Sequence, residues 1–315
     1  MSPLLKSILS EQFGYAVFRV MTPLLLPTIG VAVSGLSGAV NIALEGTMLL
    51  SAFAGVIVSA FTRSLALALL AGMAAGIGLS ALLGYFHLKL KADIILAAIA
   101  MNWLASGITV FLMFLITGDK GSTHSLKSLI FPALHIPLVR SIPVLGPILS
   151  GHNVLTYAAF LAVFVFWLIT FKTPLGLRIR AVGQNPDAAA SVGIDVNRTR
   201  MGALLLSGLF GSLGGLYLAM GYVSWFGRDM IAGRGWIAVA AASLGNNLPL
   251  GTFASSLLFG VVNTLAIYLA SLQIPSEFIQ MIPYLATVAA LAVYSAQALR
   301  RRRRRFKAGR IGGAP

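Results

Sequence analysis

An all-α, polytopic bundle of about eight to ten membrane-spanning helices is the fold class this sequence predicts. Three observations predict it. The chain is 58% hydrophobic and only 10% charged over 315 residues, whereas soluble domains carry about 25% charged residues. Several apolar runs approach or exceed the roughly 20 residues that cross a hydrocarbon core of about 30 Å. The net charge of +15 is also unevenly spread. Arg300–Arg305, Lys307 and Arg310 follow the last apolar run, and Lys172, Arg178, Arg180, Arg198 and Arg200 share one polar loop. Basic clusters of this kind mark the cytoplasmic ends of spans and meet anionic lipid headgroups, so the charge does not point to nucleic acid.

The apolar segments run, in order, Tyr15–Ser34, Thr47–Phe61, Leu65–Phe86, Ile94–Thr117, Val154–Phe171, Met201–Tyr222, Trp236–Leu244, Thr252–Ser271 and Ile279–Leu299. Trp236–Leu244 is too short to cross alone, so it is half of a bent span or a re-entrant piece. Gly35–Gly46 belongs either to a span or to the break after the first, which leaves the side of Met1 open. With the arginine tail placed inside, His87–Asp93, Lys172–Arg200 and Asn246–Gly251 fall inside as well. Gly118–Asn153, Val223–Arg234 and Gln273–Glu277 then fall outside. Gly72 and Gly76, and Gly211 and Gly215, with Ser207, Gly208 and Gly214, have the spacing that lets helices approach closely within one bundle. The first 15 residues lack the basic start and small-residue cleavage site of a secretory leader, so Met1 is expected to stay attached. One membrane domain is expected over 1–299, containing the 172–200 loop, followed by a basic cytoplasmic tail at 300–315.

Enzymatic chemistry is poorly served. No GxxxxGK[ST] loop and no GxSxG elbow occurs, and no pair of carboxylates lies at helical spacing in a span. His87, His124, His135 and His152 lack metal-ligand spacing, and cysteine is absent. Neither a metal nor a cofactor is implied.

Within the polar loop, Asn185 is suited to cap a helix, Pro186 to start it, and Asp187 to sit in its first turn. Ala188, Ala189 and Ala190 favour helix, and Gly193 can close it in the left-handed conformation. A short capped helix with a small-residue face suits docking on another protein, although it would also serve as a plain connector. Asn41 and Glu45 are four apart, and a carboxylate in or beside a span is expensive unless it faces protein or water. Asn102 with Trp103, and Asn263, offer amide and aromatic partners inside other spans. Such groups can line a path for a neutral, hydroxyl-rich solute or tie helices together. Trp225, Phe226, Arg228, Asp229 and Arg234 lie on the expected outer face, where they meet either a delivery protein or water.

DAAASVG at Asp187–Gly193 resembles the cytoplasmic loop motif of permease subunits in bacterial ATP-binding-cassette (ABC) importers. The wider TPLGLRIRAVGQNPDAAASVGI and SGLFGSLGG at Ser207–Gly215 resemble the branched-chain amino acid, ribose and nucleoside class. NIALEG at Asn41–Gly46, LKADIILAAIAMNW within Leu88–Trp103 and GRGWIAVAAASLGNNLPLG at Gly233–Gly251 resemble further landmarks of that class, in its order. Asp187 stands where the motif usually has Glu, and the Ile-x-Leu-Pro tail is missing. The resemblance implies a bacterial inner-membrane permease moving a simple sugar or nucleoside, without ATPase activity of its own. It implies two ATPase subunits, a second permease and an external substrate-binding protein as partners, with Arg180 and Asn185–Gly193 at the ATPase contact. A permease for branched-chain amino acids or another small solute, and an ATPase-independent carrier, are the competing readings.

Overall fold

A computed structural model describes residues 10–136 and 145–270, with five further positions between 281 and 292. Its helices are α1 Glu11–Leu36, α2 Leu44–Thr62, α3 Leu65–Gly84, α4 Ile94–Thr117, α5 Leu145–Leu149 and α6 Val154–Lys172. They continue with α7 Pro174–Gln184, α8 Pro186–Ser191, α9 Val196–Tyr217, α10 Arg234–Leu244 and α11 Pro249–Leu269. Single π-helical turns extend α3 through Lys89 and α9 through Tyr222. Seven helices among the described residues are long and apolar enough to cross a membrane. α10 is not among them: its 11 residues reach about 16 Å, half a crossing. Ile279–Leu299 lies outside the described residues apart from five positions.

Polar side chains set many of the helix starts. Ser10, Asp93, Asn153, Thr173 and Asp195 each accept a backbone N–H from the first turn of the helix that follows. These bonds satisfy donors that a helix start otherwise leaves open.

α1 and α9 form the centre. Their most apolar windows are 83% and 78% buried, against 28% for both α3 and α4 and 33% for α6, whose outer faces stay open. The small residues explain how closely α9 packs. A Cβ on Gly215 would meet the Met48 carbonyl, one on Gly76 would meet the Ser212 hydroxyl, and one on Gly72 would overlap Leu216. The expected small-residue contacts thus operate inside one bundle, between α2, α3 and α9.

The connections sort to two ends. At one end Arg200 Nε donates to the Ser37 carbonyl at 3.3 Å, Gly183 abuts Leu36, Gly84 faces Met201, and Gly35 faces Asn247. At the other end Tyr15 donates to Gly151, Arg63 to the Lys127 carbonyl, and Arg19 to the Tyr222 carbonyl. The described segments expected on one side of the membrane therefore gather together, and residues 10–19 join the end opposite the basic loop; Gln273–Glu277 and the 300–315 tail lie outside the described residues. Gly35–Gly46 resolves into the end of α1, a non-helical connector at Ser37–Ala43, and the start of α2.

Candidate functional site

The connector removes one expectation. Asn41 and Glu45 do not share a helical face, because α2 begins only at Leu44. Asn41 sits in the connector, fully buried, and donates to Ser80 Oγ and Ser207 Oγ at 3.1 Å each while its own Oδ1 accepts from Ala43 N. It ties three elements together. Asn263 likewise donates to the Phe259 carbonyl one turn back on α11. Neither residue lines the cavity beside Glu45.

Glu45 sits in the first turn of α2, facing the start of α10. Its Oε1 accepts from Gly233 N at 2.8 Å and its Oε2 from Gly235 N at 2.7 Å. A carboxylate at a helix start meets both unpaired N–H groups and the positive end of the helix dipole. Gly235 is required there, because a Cβ would come within 2.7 Å of the Glu45 Cα. The Val223–Arg234 stretch is thus more than an outer turn, since its last residues reach into the bundle. On α4, Asn102 Oδ1 accepts from Gly46 N at 2.8 Å, and its Nδ2 donates to the Ile42 carbonyl at 3.2 Å.

Between these parts lies a cavity of about 240 Å³, lined by Glu45, Asn102, Trp103, Ser106, Asp229 and Trp236 together with Gly46, Leu49, Ile99 and Ile231. It unites residues that the sequence reading had kept apart: Glu45, Asn102 and Trp103 from the spans, and Asp229 from the outer loop. Both polar ends of Glu45 and Asn102 are already spent on backbone groups, so these residues shape the wall. Asp229 and Ser106 differ. Ser106 Oγ donates to Asp229 Oδ1 at 2.9 Å, and the Arg228–Asp229 pair at 3.4 Å is more than half exposed. An exposed pair of that kind contributes little, so the Asp229 carboxylate remains available to hydroxyl donors. Trp103 is 77% exposed and Trp236 44%, and both present aromatic surface. Ser106 was legible as the next residue after Asn102 on the same face of α4, one turn on. The Gly233 and Gly235 amides, being backbone, carried no such signal.

Trp225 is not in the cavity. Its ring lies 4.1 Å from that of His124, where the 118–136 segment straps across this end. Thr123 and Phe226 exchange backbone and hydroxyl bonds across the same strap, and Ser128 Oγ donates to the Ser224 carbonyl at 2.5 Å.

At the basic-loop end, α8 is the short helix the punctuation predicts. Asn185 Oδ1 accepts from Ala188 N at 3.0 Å, Pro186 and Asp187 open the helix, and Gly193 follows with φ +83°. Asp187, Ala188, Ala190 and Ser191 are exposed, whereas Ala189 is 4% exposed and turned inward. Ala189 is thus turned away from the exposed face of α8. Arg180 lies partly buried with its guanidinium 4.8 Å from the centre of the Phe171 ring. Its Nε is buried without a hydrogen-bond partner, while Arg178 is the exposed arginine of α7.

The family model described as branched-chain amino acid transport system / permease component matches residues 15–291. The chain belongs to this family. Its match takes in the cavity, the connector and α8 alike. Guanosine ABC transporter permease protein NupQ of Bacillus subtilis (strain 168) is 37% identical over 88% of this chain and 89% of its own length. Nucleoside ABC transporter permease protein NupC of Lactococcus lactis subsp. cremoris (strain MG1363) is 34% identical over 88% and 90%. Putative glucose ABC transporter permease protein TsgC13 of Haloferax volcanii is 30% identical over 82% and 78%. As a member of this permease family the chain is a transport component, and its seven apolar helices make it a multi-pass membrane protein.

Proposed function

We propose that this chain is the permease subunit of an ABC importer that carries nucleosides across the bacterial inner membrane. ATP hydrolysis belongs to two separate ATPase subunits. A second permease completes the membrane domain, and an external binding protein delivers the cargo. In this arrangement the exposed Asp187, Ala188 and Ser191 face of α8 meets the ATPase, and the C-terminal tail is cytoplasmic.

The observation that carries the cargo assignment is the cavity, with two indoles beside a hydroxyl-accepting carboxylate. Stacking of a base on an aromatic side chain contributes about 1–3 kcal/mol. An ionised carboxylate accepts hydroxyl hydrogens strongly and suits the ribosyl group. The relatives at 37% and 34% identity, a guanosine and a nucleoside permease protein by name, support the same cargo. The 30% identical glucose relative makes a hexose the competing substrate.

The test is uptake by the assembled transporter in proteoliposomes, with guanosine, uridine, glucose and leucine each supplied as labelled cargo. Nucleoside uptake that needs ATP is expected. Trp103→Ala is expected to raise the half-saturating nucleoside concentration about tenfold, the loss of one stacked base. Uptake of glucose or leucine without nucleosides overturns the cargo, and uptake that survives ATP depletion overturns the importer.

A further inference from the structure

The connector Ser37–Ala43 has a hold on both ends of the molecule's business. At the basic-loop end it is gripped by the helices that flank α8. A Cβ on Gly183, in the last turn of α7, would collide with the Leu36 carbonyl oxygen. Arg200, early in α9, donates from Nε to the Ser37 carbonyl at 3.3 Å. Gly38 takes φ +80° with Gly183 and Arg200 against it. Because α8 sits between α7 and α9, a push on α8 reaches residues 36–38 from two sides.

The opposite end of the connector runs into the cavity wall. Asn41 N donates to Ser34 Oγ at 3.0 Å, folding the connector back on the end of α1. Asn102 holds Ile42 and Gly46 by a pair of backbone bonds, and Glu45 holds Gly233 and Gly235 by another. The segment from Asp229 to Trp236, which carries the cavity's carboxylate and one of its indoles, therefore follows Glu45. Among these links, those formed by Arg200, Asn41, Asn102 and Glu45 are hydrogen bonds that each join a side chain to a backbone group. Contiguous hydrogen bonds and packed groups are what carry coupling between sites, and non-helical residues between two helices are where a hinge is expected.

We infer that the connector transmits movement of α8 to the cavity, and that Glu45 is the positioning residue that converts it into displacement of Asp229 and Trp236. The inference rests on the ABC-importer reading. Glu45 touches no substrate in this scheme. It acts through the start of α10, whose two free amides it holds.

The test uses the complete transporter in proteoliposomes, reading nucleoside uptake and ATP hydrolysis together. Glu45→Gln offers one acceptor oxygen where the carboxylate offers two. It is expected to lower the nucleoside moved per ATP about tenfold, a usual size for coupling between sites. The half-saturating nucleoside concentration is expected to change less than transport per ATP, since Glu45 reaches Asp229 and Trp236 only through the start of α10. Glu45→Asp retains both acceptors on a shorter stem and is expected to recover part of the loss. A Gln variant with unchanged transport per ATP overturns the inference, as does a raised half-saturation with transport per ATP intact. The far end of the linkage gives an independent arm that does not alter Glu45. Gly183→Ala is expected to reduce transport per ATP by itself, and in combination with Glu45→Asp to fall short of the product of the two single effects. Full multiplicativity overturns the shared linkage. Absence of ATP-driven nucleoside uptake by the unsubstituted transporter is a separate result, and it overturns the functional reading beneath.

Discussion

At the scale of single residues, buried polar side chains here do structural work on backbone groups far away in sequence. Asn102 satisfies one N–H and one C=O at the broken start of α2. Asn102→Ala leaves both without this partner and is expected to destabilise the protein by about 1–3 kcal/mol, seen as a lower melting temperature in detergent. Asn102→Asp keeps the acceptor for Gly46 but turns an oxygen toward the Ile42 carbonyl, so it is expected to recover only part. His152 makes a different prediction. It stacks on Tyr15 with ring centres 4.1 Å apart, and its Nε2 lies 2.8 Å from the Ile148 carbonyl. Burial pushes its imidazole below the usual histidine range, the nearby Arg19 charge adds to the shift, and the Ile148 carbonyl opposes it. The unfolded chain then takes the proton more readily than the folded one. Stability is therefore full above about pH 6.5 and is lost as the pH falls toward the lower folded value. His152→Gln is expected to flatten that acid loss in melting curves recorded between about pH 7 and pH 5. Asn102 and Glu45 were readable as candidates in the sequence although their partners were not, whereas His152 read only as a scattered loop histidine and is in fact buried. Glu45 pairs with amides 188 and 190 positions away, and no local pattern announces that.

At the scale of elements, the sequence was far more legible. Ile94–Thr117 was bounded correctly by Asp93 before it and Gly118 after it, because a capping carboxylate and a glycine at φ +73° are local signals. α8 was bounded to within a residue or two by Asn185 and Gly193 for the same reason. The π turns after α3 and α9 were missed: the apolar run continues unbroken through Leu218–Tyr222, whereas His87 and Lys89 inside Tyr85–Lys89 read as the start of a loop. Glycine spacing was legible as packing, and the structure now tells the glycines apart. Gly215→Ala must push the Met48 carbonyl aside and is expected to cost about 1–3 kcal/mol. Gly78→Ala, on the open face of α3 with nothing within 4 Å, is expected to be neutral or to stabilise by up to about 1 kcal/mol through helix propensity. Melting temperatures of the two variants should move in different directions; equal losses would contradict close packing of α9 on α2.

At the scale of the whole molecule, sidedness decides whether α8 can meet a cytoplasmic ATPase at all. The described residues alone leave it finely balanced. Lys89, Lys91, Lys172, Arg178, Arg180, Arg198 and Arg200 belong to the α8 end, while Arg19, Arg63, Lys120, Lys127, Arg228 and Arg234 belong to the other. The weight that tips the balance is the run Arg300–Arg305 with Lys307 and Arg310, because basic residues close to the end of a span resist translocation. The chain contains no cysteine, so single cysteines report without background. Ala188 and Lys120 are exposed at opposite ends. Lys120→Cys is expected to react with a membrane-impermeant maleimide in cells whose outer membrane has been made porous, and Ala188→Cys only in inverted inner-membrane vesicles. Replacing Arg300–Arg305 by Asn removes the dominant bias, so each cysteine should then label in part from both sides. Ala188→Cys reacting from the periplasmic side in the unsubstituted background would put α8 out of reach of any ATPase. Unchanged labelling after the tail is neutralised would instead mean that the seven basic residues at the α8 end fix the orientation by themselves.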